Sequence, residues 1–281
     1  MFNCAAETKF GQEEAIYKDK LHDVCVKIAT EAAKHPLKNF IHLSTAQVYD
    51  AGKKASKEDA KLEPWTVQAK SHLQTEESLK GISGLPLIIL RPATVYGPGD
   101  IQGISPRIIC AAVYKHLDEK MKFLWSGDLR YNTVYVQDVV RAMWHCATTV
   151  KAPALFNLAD KNDTTQEKIN KILEELFPIK TGFYGSLVGT MAKSMGFKSI
   201  VEDINDKHLK PWSEMCNAAG IAVTPLTPYL DPELLYNNAL SIDGSAIEST
   251  GFKYETPKMT TDLVRNQLKY YTDQNLFPVE K

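Results

Sequence analysis

The chain has 281 residues, a net charge of −1, and a composition of 44% hydrophobic and 24% charged residues. A chain of this length can bury a sizeable core, either as one large α/β domain or as two smaller ones. The balanced charge gives no electrostatic reason to expect nucleic acid or an anionic membrane surface as a partner. No apolar run reaches the roughly 18 residues of a membrane span, and residues 1–10 do not resemble a signal peptide.

The cysteines are scattered along the chain and form no C-x-x-C pair. They are Cys4, Cys25, Cys110, Cys146 and Cys216. An odd number of widely spaced cysteines argues against a disulfide framework and against a metal site. We therefore expect mostly buried thiols, no bound metal, and an intracellular, reducing compartment, most simply the cytoplasm.

Helical and strand patterns alternate along the chain. Apolar spacing predicts helices at 13–34, 65–80, 137–148 and 164–177, and strands at 39–44, 85–92, 133–136 and 154–158. Such alternation predicts parallel β-α-β units, and therefore an α/β fold with a doubly wound sheet. From Pro178 the sequence becomes irregular, which predicts a smaller mixed lobe.

Four motifs in chain order carry a family resemblance. They are S-T-A-Q-V-Y-D at 44–50, R-P-A-T-V-Y-G-P-G-D at 91–100, Y-N-T-V-Y-V-Q-D at 131–138 and F-N-L at 156–158. Together they resemble the extended short-chain dehydrogenases/reductases of the NAD-dependent epimerase/dehydratase type. The third is closest to the 3β-hydroxysteroid dehydrogenase branch. The resemblance implies a Rossmann-like NAD(P)-binding portion at 1–98 and 132–177, and a substrate-type lobe at 99–131 and 178–281.

The resemblance also implies a catalytic chemistry. In this family a tyrosine, with a lysine four residues later, exchanges a proton with the substrate while nicotinamide exchanges a hydride. A serine or threonine at the end of the fifth strand hydrogen-bonds the reacting oxygen. Thr45 takes that position; the alternative is a β-branched residue that merely ends a strand. Tyr49 and Tyr96 belong to the V-Y motifs, where we expect packing rather than catalysis.

The cofactor would lie against two short segments. By resemblance its nicotinamide side contacts Arg91, Pro92, Ala93 and Val95, while Cys4, Ala5 and Ala6 replace the L-A-A that often follows the family's fourth strand. For Arg91 a structural salt bridge is the alternative to cofactor contact. The family's cofactors are NAD or NADP, and the residue that would decide between them is not recognisable here.

The catalytic helix departs from the family. Gln68 stands at the tyrosine position and His72 at the lysine position, in a register fixed by E-P at 63–64 and E-E at 76–77. Glutamine has no titratable proton, and loss of a general acid or base costs about 10² to 10⁴ in rate. Histidine ionises near neutral pH, so His72 is either a base oriented by Thr45 or a helix-surface histidine that merely packs.

A second departure concerns the family's glycine-rich turn. G-x-x-G-x-x-G, which holds the pyrophosphate at a helix N-terminus, does not occur in the sequence. Residues 1–8 resemble the end of the fourth strand, so about seventy residues of the usual Rossmann half are not represented. Either a longer native chain precedes Met1, or the sheet begins here with an open edge that a partner covers.

Two functions stay open. The first is a family member without redox catalysis, retained as a structural or regulatory protein. The second is an active NAD(P)-dependent oxidoreductase or epimerase that uses Thr45 and His72 on a sterol-like or nucleotide-sugar substrate. In either case the expected partner is a second copy, through helices 13–34 and 65–80, or a larger assembly.

Overall fold

The structure, a computed structural model, describes residues 1–185, 197–236 and 238–278. Its contacts divide the chain into two compact units. Unit 1 comprises Met1–Ala93, Asn132–Asp163 and Asn238–Lys258; unit 2 comprises Thr94–Tyr131, Thr164–Asn237 and Met259–Lys281. Within the described residues, no helix is both long enough and apolar enough to cross a membrane.

The strands in chain order are β1 (Phe2–Asn3), β2 (Phe40–Leu43), β3 (Leu87–Pro92), β4 (Thr94–Tyr96), β5 (Met121–Phe123), β6 (Thr133–Tyr135), β7 (Ala154–Leu158) and β8 (Thr181–Phe183). The α-helices are α1 (Glu14–Tyr17), α2 (Val24–Ala32), α3 (Val67–Lys80), α4 (Ser105–His116), α5 (Val136–Thr148), α6 (Gln166–Leu176), α7 (Phe197–Ala218) and α8 (Thr261–Asp273). A π-helical segment, Lys18–Asp23, joins α1 to α2.

A four-stranded parallel sheet forms the centre of unit 1. Its order is β1-β2-β3-β7, with Phe2 paired to Ile41, Phe40 to Leu87 and Ile88 to Ala154. All six residues of β3 are buried, as expected for an interior strand with helices on both faces. The predicted α/β fold with a parallel sheet is confirmed, although β6 forms its strand outside this sheet.

Local sequence explains the position of the catalytic-type helix. Thr66 precedes α3, and its Oγ1 accepts a hydrogen bond from the backbone N–H of Ala69 at 3.0 Å. This side-chain cap satisfies one of the orphan donors of the first turn. Gly81 follows the last residue of α3 and ends it. The helix therefore starts at Val67, two residues later than the sequence predicted.

Among its described residues, unit 2 contains the helices α4, α6, α7 and α8 and the short strands β4, β5 and β8. Strands β5 and β8 pair in parallel, with Met121 opposite Thr181. Residues 238–258, which the sequence assigned to the substrate-type lobe, pack in unit 1 instead. One reason is that the Asp138 carboxylate accepts hydrogen bonds from the backbone N–H groups of Glu255 and Thr256, at 3.0 and 2.8 Å. The assignment of cofactor and substrate roles to the two portions stays a prediction.

Candidate functional site

The carboxyl ends of the parallel strands lie along one edge of the sheet in unit 1. Ligands of doubly wound sheets bind outside this edge. Cys4–Ala6 follow β1, Thr45 lies two residues after the last residue of β2, and Ala93 follows β3. The structure thus brings most of the predicted site residues to three neighbouring strand ends. Val95 belongs to unit 2, where its side chain is half-buried.

Gln68 lies in the first turn of α3 and is 7% exposed. Its Nε2 donates a hydrogen bond to the backbone carbonyl of Glu7 at 2.9 Å. The glutamine therefore ties the start of α3 to the segment that follows β1. The assignment of position 68 to the family's catalytic tyrosine stays a prediction.

His72 lies one helical turn further along α3 and is 6% exposed. Burial lowers its pKa to about 3, and the proximity of His42 adds to the effect. Its Nδ1 has no hydrogen-bond partner among the described residues. Of our two alternatives for His72, its placement on the helix surface is wrong, because the side chain is buried; its role as a base stays a prediction. Burial also keeps the imidazole neutral at physiological pH.

His42, which sequence reasoning missed, extends this buried polar region onto the sheet. It lies on β2 opposite Asn3, whose Nδ2 is 3.2 Å from its Nδ1. Burial lowers the pKa of His42 to about 4, against an opposing effect of the Glu76 charge. The strand pattern marked position 42 as part of a buried strand, but no motif distinguished it from an apolar neighbour.

Arg91 is 1% exposed and forms a buried ion pair with Glu76 of α3. Its Nε lies 2.9 Å from Glu76 Oε1, and its Nη1 donates to the Tyr49 hydroxyl at 2.7 Å. Tyr49 donates in turn to Asn157 Oδ1 at 2.8 Å, and Ser44 Oγ donates to Glu76 Oε1 at 2.6 Å. The structure thus shows the salt-bridge alternative for Arg91, while contact with a cofactor stays a prediction.

Thr45 and Tyr49 have local structural partners. The Oγ1 of Thr45 accepts a hydrogen bond from the backbone N–H of Gln47 at 3.2 Å and caps the short 3₁₀ turn Ala46–Val48. Burial raises the pKa of Tyr49, so its hydroxyl remains protonated at neutral pH. Thr45 is half-buried at the strand end, which leaves its proposed contact with a reacting oxygen a prediction.

The residues at this edge fit an NAD(P) dinucleotide only in part. Ala5 and Ala6 are small and half-exposed where a ligand of a doubly wound sheet would lie. A glycine-rich G-x-x-G-x-x-G turn, which would hold the pyrophosphate, does not occur in the given sequence. In the part that the structure describes, no group of three or more His, Cys, Asp and Glu side chains could hold a metal ion.

A sequence model described as the NAD dependent epimerase/dehydratase family matches residues 1–159. The chain belongs to this family. The match covers more than half of the chain and contains all four motifs and the Gln68–His72 helix. A search of the curated proteins found no match.

Solved structures of similar fold come from bacteria and from human. The Bordetella bronchiseptica enzyme WbmG in complex with NAD and UDP has a TM-score of 0.67 and 15% identity over 98% of this chain and 73% of its own. UDP-glucuronic acid 4-epimerase from Bacillus cereus, in complex with UDP-glucuronic acid and NAD, has a TM-score of 0.64 and 18% identity over 96% of this chain and 74% of its own. The human epimerase family protein SDR39U1 with NADPH has a TM-score of 0.66 and 11% identity over 95% of this chain and 81% of its own. At these identities the comparison establishes the shared fold.

The buried ion pair makes a testable contribution to stability. We predict that Arg91→Met lowers the free energy of unfolding by about 3–5 kcal/mol, since it leaves the Glu76 carboxylate buried without its cation. The matched control is Arg265→Met, which removes an exposed ion pair with Asp262 and should change stability by less than about 1 kcal/mol. Urea unfolding measures both; equal effects would contradict the buried-pair assignment.

The buried histidines make stability depend on pH. Because His72 and His42 have folded-state pKa values of about 3 and about 4, the unfolded chain binds protons below about pH 6.5 that the folded chain does not. The two histidines therefore do not reduce the free energy of unfolding above that pH, and they lower it progressively as the pH drops towards 4. Within this pH range, each histidine lowers the free energy of unfolding by up to about 1.4 kcal/mol per pH unit.

The test compares urea unfolding at pH 7.5 and at pH 5.5. His72→Gln should reduce the loss of stability between the two values, whereas His116→Gln, at an exposed position on α4, should leave the loss unchanged. An unchanged loss in His72→Gln would show that this imidazole is not held neutral by burial.

Proposed function

We propose that this chain is a member of the epimerase/dehydratase family without hydride-transfer catalysis, retained as a structural or regulatory protein. The observation that carries the proposal is the state of His72, which is buried with a pKa of about 3 at the position of the family's lysine. A neutral imidazole provides no positive charge to lower the pKa of a neighbouring acid or to hold a cofactor ribose.

Gln68 supports the same conclusion. A carboxamide can donate and accept hydrogen bonds, but it cannot transfer a proton to a substrate hydroxyl or carbonyl. Its Nε2 is already bonded to the Glu7 carbonyl, so the side chain also has a local structural use. Loss of the general acid alone costs about 10² to 10⁴ in rate, and here the supporting cation is missing as well.

NAD or NADP is the ligand that we propose for the carboxyl edge, bound without turnover. The support is the family match and the solved relatives, which are described with NAD, NADPH or UDP. In this chain the edge residues Ala5, Ala6 and Ala93 would face such a ligand, and Thr45 would lie beside it. A bound nicotinamide cofactor supplies hydride chemistry in this family. Gln68 and His72 do not supply the proton that must move to or from the substrate during hydride transfer.

An active enzyme is the second candidate. The Nδ1 of His72 has no hydrogen-bond partner among the described residues, so it offers a lone pair or a proton that a substrate could use. In that case Thr45 would orient a nucleotide-sugar or sterol-like substrate, the classes suggested by the relatives and by the Y-N-T-V-Y-V motif. Against this candidate, a base with a pKa of about 3 is weak at neutral pH.

For partners we propose a homodimer through residues 13–34 and 65–80, or a subunit role in a larger assembly. Supporting the assembly, Trp144 of α5 is a large aromatic side chain that is 64% exposed. Light scattering on the purified chain tests the dimer: a monomer mass at micromolar concentration would rule it out.

The unpaired cysteines support our proposal of a reducing compartment, the cytoplasm.

The redox test uses NAD(P)H with UDP-sugars and with hydroxysteroids. We predict no hydride transfer above background, and no effect of Thr45→Ala or His72→Ala on any residual rate. Turnover that either substitution abolishes would establish the active-enzyme candidate instead. NADH fluorescence measures binding separately: binding without turnover supports a regulatory role, and lack of binding supports a structural one.

A further inference from the structure

A small apolar pocket lies on one face of the sheet in unit 1, beside the last turn of α3. Its volume is about 390 Å³, and every residue that lines it is apolar except Lys80. Small-molecule pockets in proteins have volumes of about 300–1,000 Å³ and are mostly apolar, with a few polar groups that orient the ligand. The pocket has both properties.

Strand pairing explains the apolar wall. Leu87 and Ile89 are two residues apart on β3 and therefore point to the same face of the sheet. Leu155 of β7 is paired with Ile89 and shares that face. Leu79 of α3 packs against the same leucine and isoleucine from above. Leu85 and Leu155 are half-buried, so solvent and a ligand can reach the pocket.

The pocket is separate from the candidate site. Leu87 is the first residue of β3 and Ala154 is the first residue of β7, so the pocket lies at the amino ends of these strands. The candidate site lies at their carboxyl ends. The pocket also differs from the proposed dimer surface, because Leu79 is fully buried towards the sheet and a dimer would use exposed side chains.

Lys80 places a positive charge at this pocket. Its side chain is 49% exposed, and its Nζ lies 3.8 Å from Oε2 of the buried Glu76, on the sheet side of α3 and too far away for a hydrogen bond. Both oxygens of Glu76 already accept hydrogen bonds, Oε1 from Arg91 Nε and Ser44 Oγ, and Oε2 from Arg91 Nη2. Because one carboxylate faces two cations, the group has a surplus positive charge.

We propose that this pocket binds a medium-chain fatty carboxylate. The alkyl chain packs on Leu85, Leu87 and Leu155, where its burial is favourable. The carboxylate pairs with the Lys80 ammonium, whose charge Glu76 does not neutralise. The inference does not depend on the proposed function, because it uses none of Thr45, Gln68 and His72.

Titration of the full chain with octanoate tests the proposal. With the leucine methyl groups labelled with ¹³C, octanoate below its critical micelle concentration should shift the signals of Leu85 and Leu155 in a saturable way. The variants Leu85→Ile and Leu155→Ile assign these signals. Octylammonium has the same chain and the opposite charge, so it should bind at least twofold more weakly than octanoate.

Lys80→Met removes the charge and keeps an apolar side chain. It should weaken octanoate binding about two- to fivefold, as expected for a half-exposed ion pair, and should abolish the preference for octanoate over octylammonium. The matched control is Lys54→Met, which removes an exposed lysine elsewhere in unit 1 and should leave both affinities unchanged.

Leu155→Trp fills the pocket and should weaken octanoate binding at least tenfold. Circular dichroism verifies that the variant is folded; if it is not, Lys80→Met at its exposed position still decides the proposal.

Three results would overturn the proposal. They are the absence of saturable shifts at Leu85 and Leu155, octylammonium binding as tight as that of octanoate, and octanoate binding that Lys80→Met leaves unchanged. Saturable octanoate binding that both Lys80→Met and a folded Leu155→Trp weaken, and that Lys54→Met preserves, would support it.

Discussion

The buried ion pair between Glu76 and Arg91 fixes the position of α3 on the sheet. Glu76 is fully buried on the helix and Arg91 is 1% exposed at the end of β3. Neither charge can be solvated by water there, so each depends on the other and on the hydrogen bonds from Ser44 and to Tyr49. The end of β2, the end of β3 and the middle of α3 are thereby held in one arrangement.

That arrangement determines the environment of positions 68 and 72. One helical turn separates His72 from Glu76, so a helix face that is buried at Glu76 also buries His72. His42 lies beside it on the sheet, and both imidazoles have lowered pKa values because they are buried. The same helix thus carries Gln68, bonded to the Glu7 carbonyl, and His72, buried as a neutral imidazole.

The sequence predicted the fold well where a single periodicity was decisive. The β3 run is apolar from Leu85 to Leu90, and the strands at 40–43 and 154–158 are mostly apolar, so their parallel pairing followed from the β-α-β pattern. The π-helical segment Lys18–Asp23 was not predicted, because π and α segments share nearly the same apolar spacing. The packing of 238–258 in unit 1 depends on tertiary contacts such as those of Asp138, which local patterns do not contain.

The candidate site was less predictable, and burial is the reason. The motif register placed Gln68 and His72 at the family's catalytic positions, which stays a prediction. A polar residue within a helix of mixed composition suggested surface exposure, whereas both side chains are buried. The contribution of His42 depends on its contact with Asn3, which lies 39 positions away in the chain. Only the folded backbone brings such pairs together.

The central claim is that the fold persists while position 72 has lost the charge on which the family's chemistry depends. Nitrogen chemical shifts of the His72 imidazole, assigned with the help of His72→Gln and followed from pH 8 to pH 5, test it most directly. Because burial holds the pKa of His72 near 3, the shifts should remain those of a neutral ring throughout. Uptake of a proton between pH 8 and pH 6 would contradict the account.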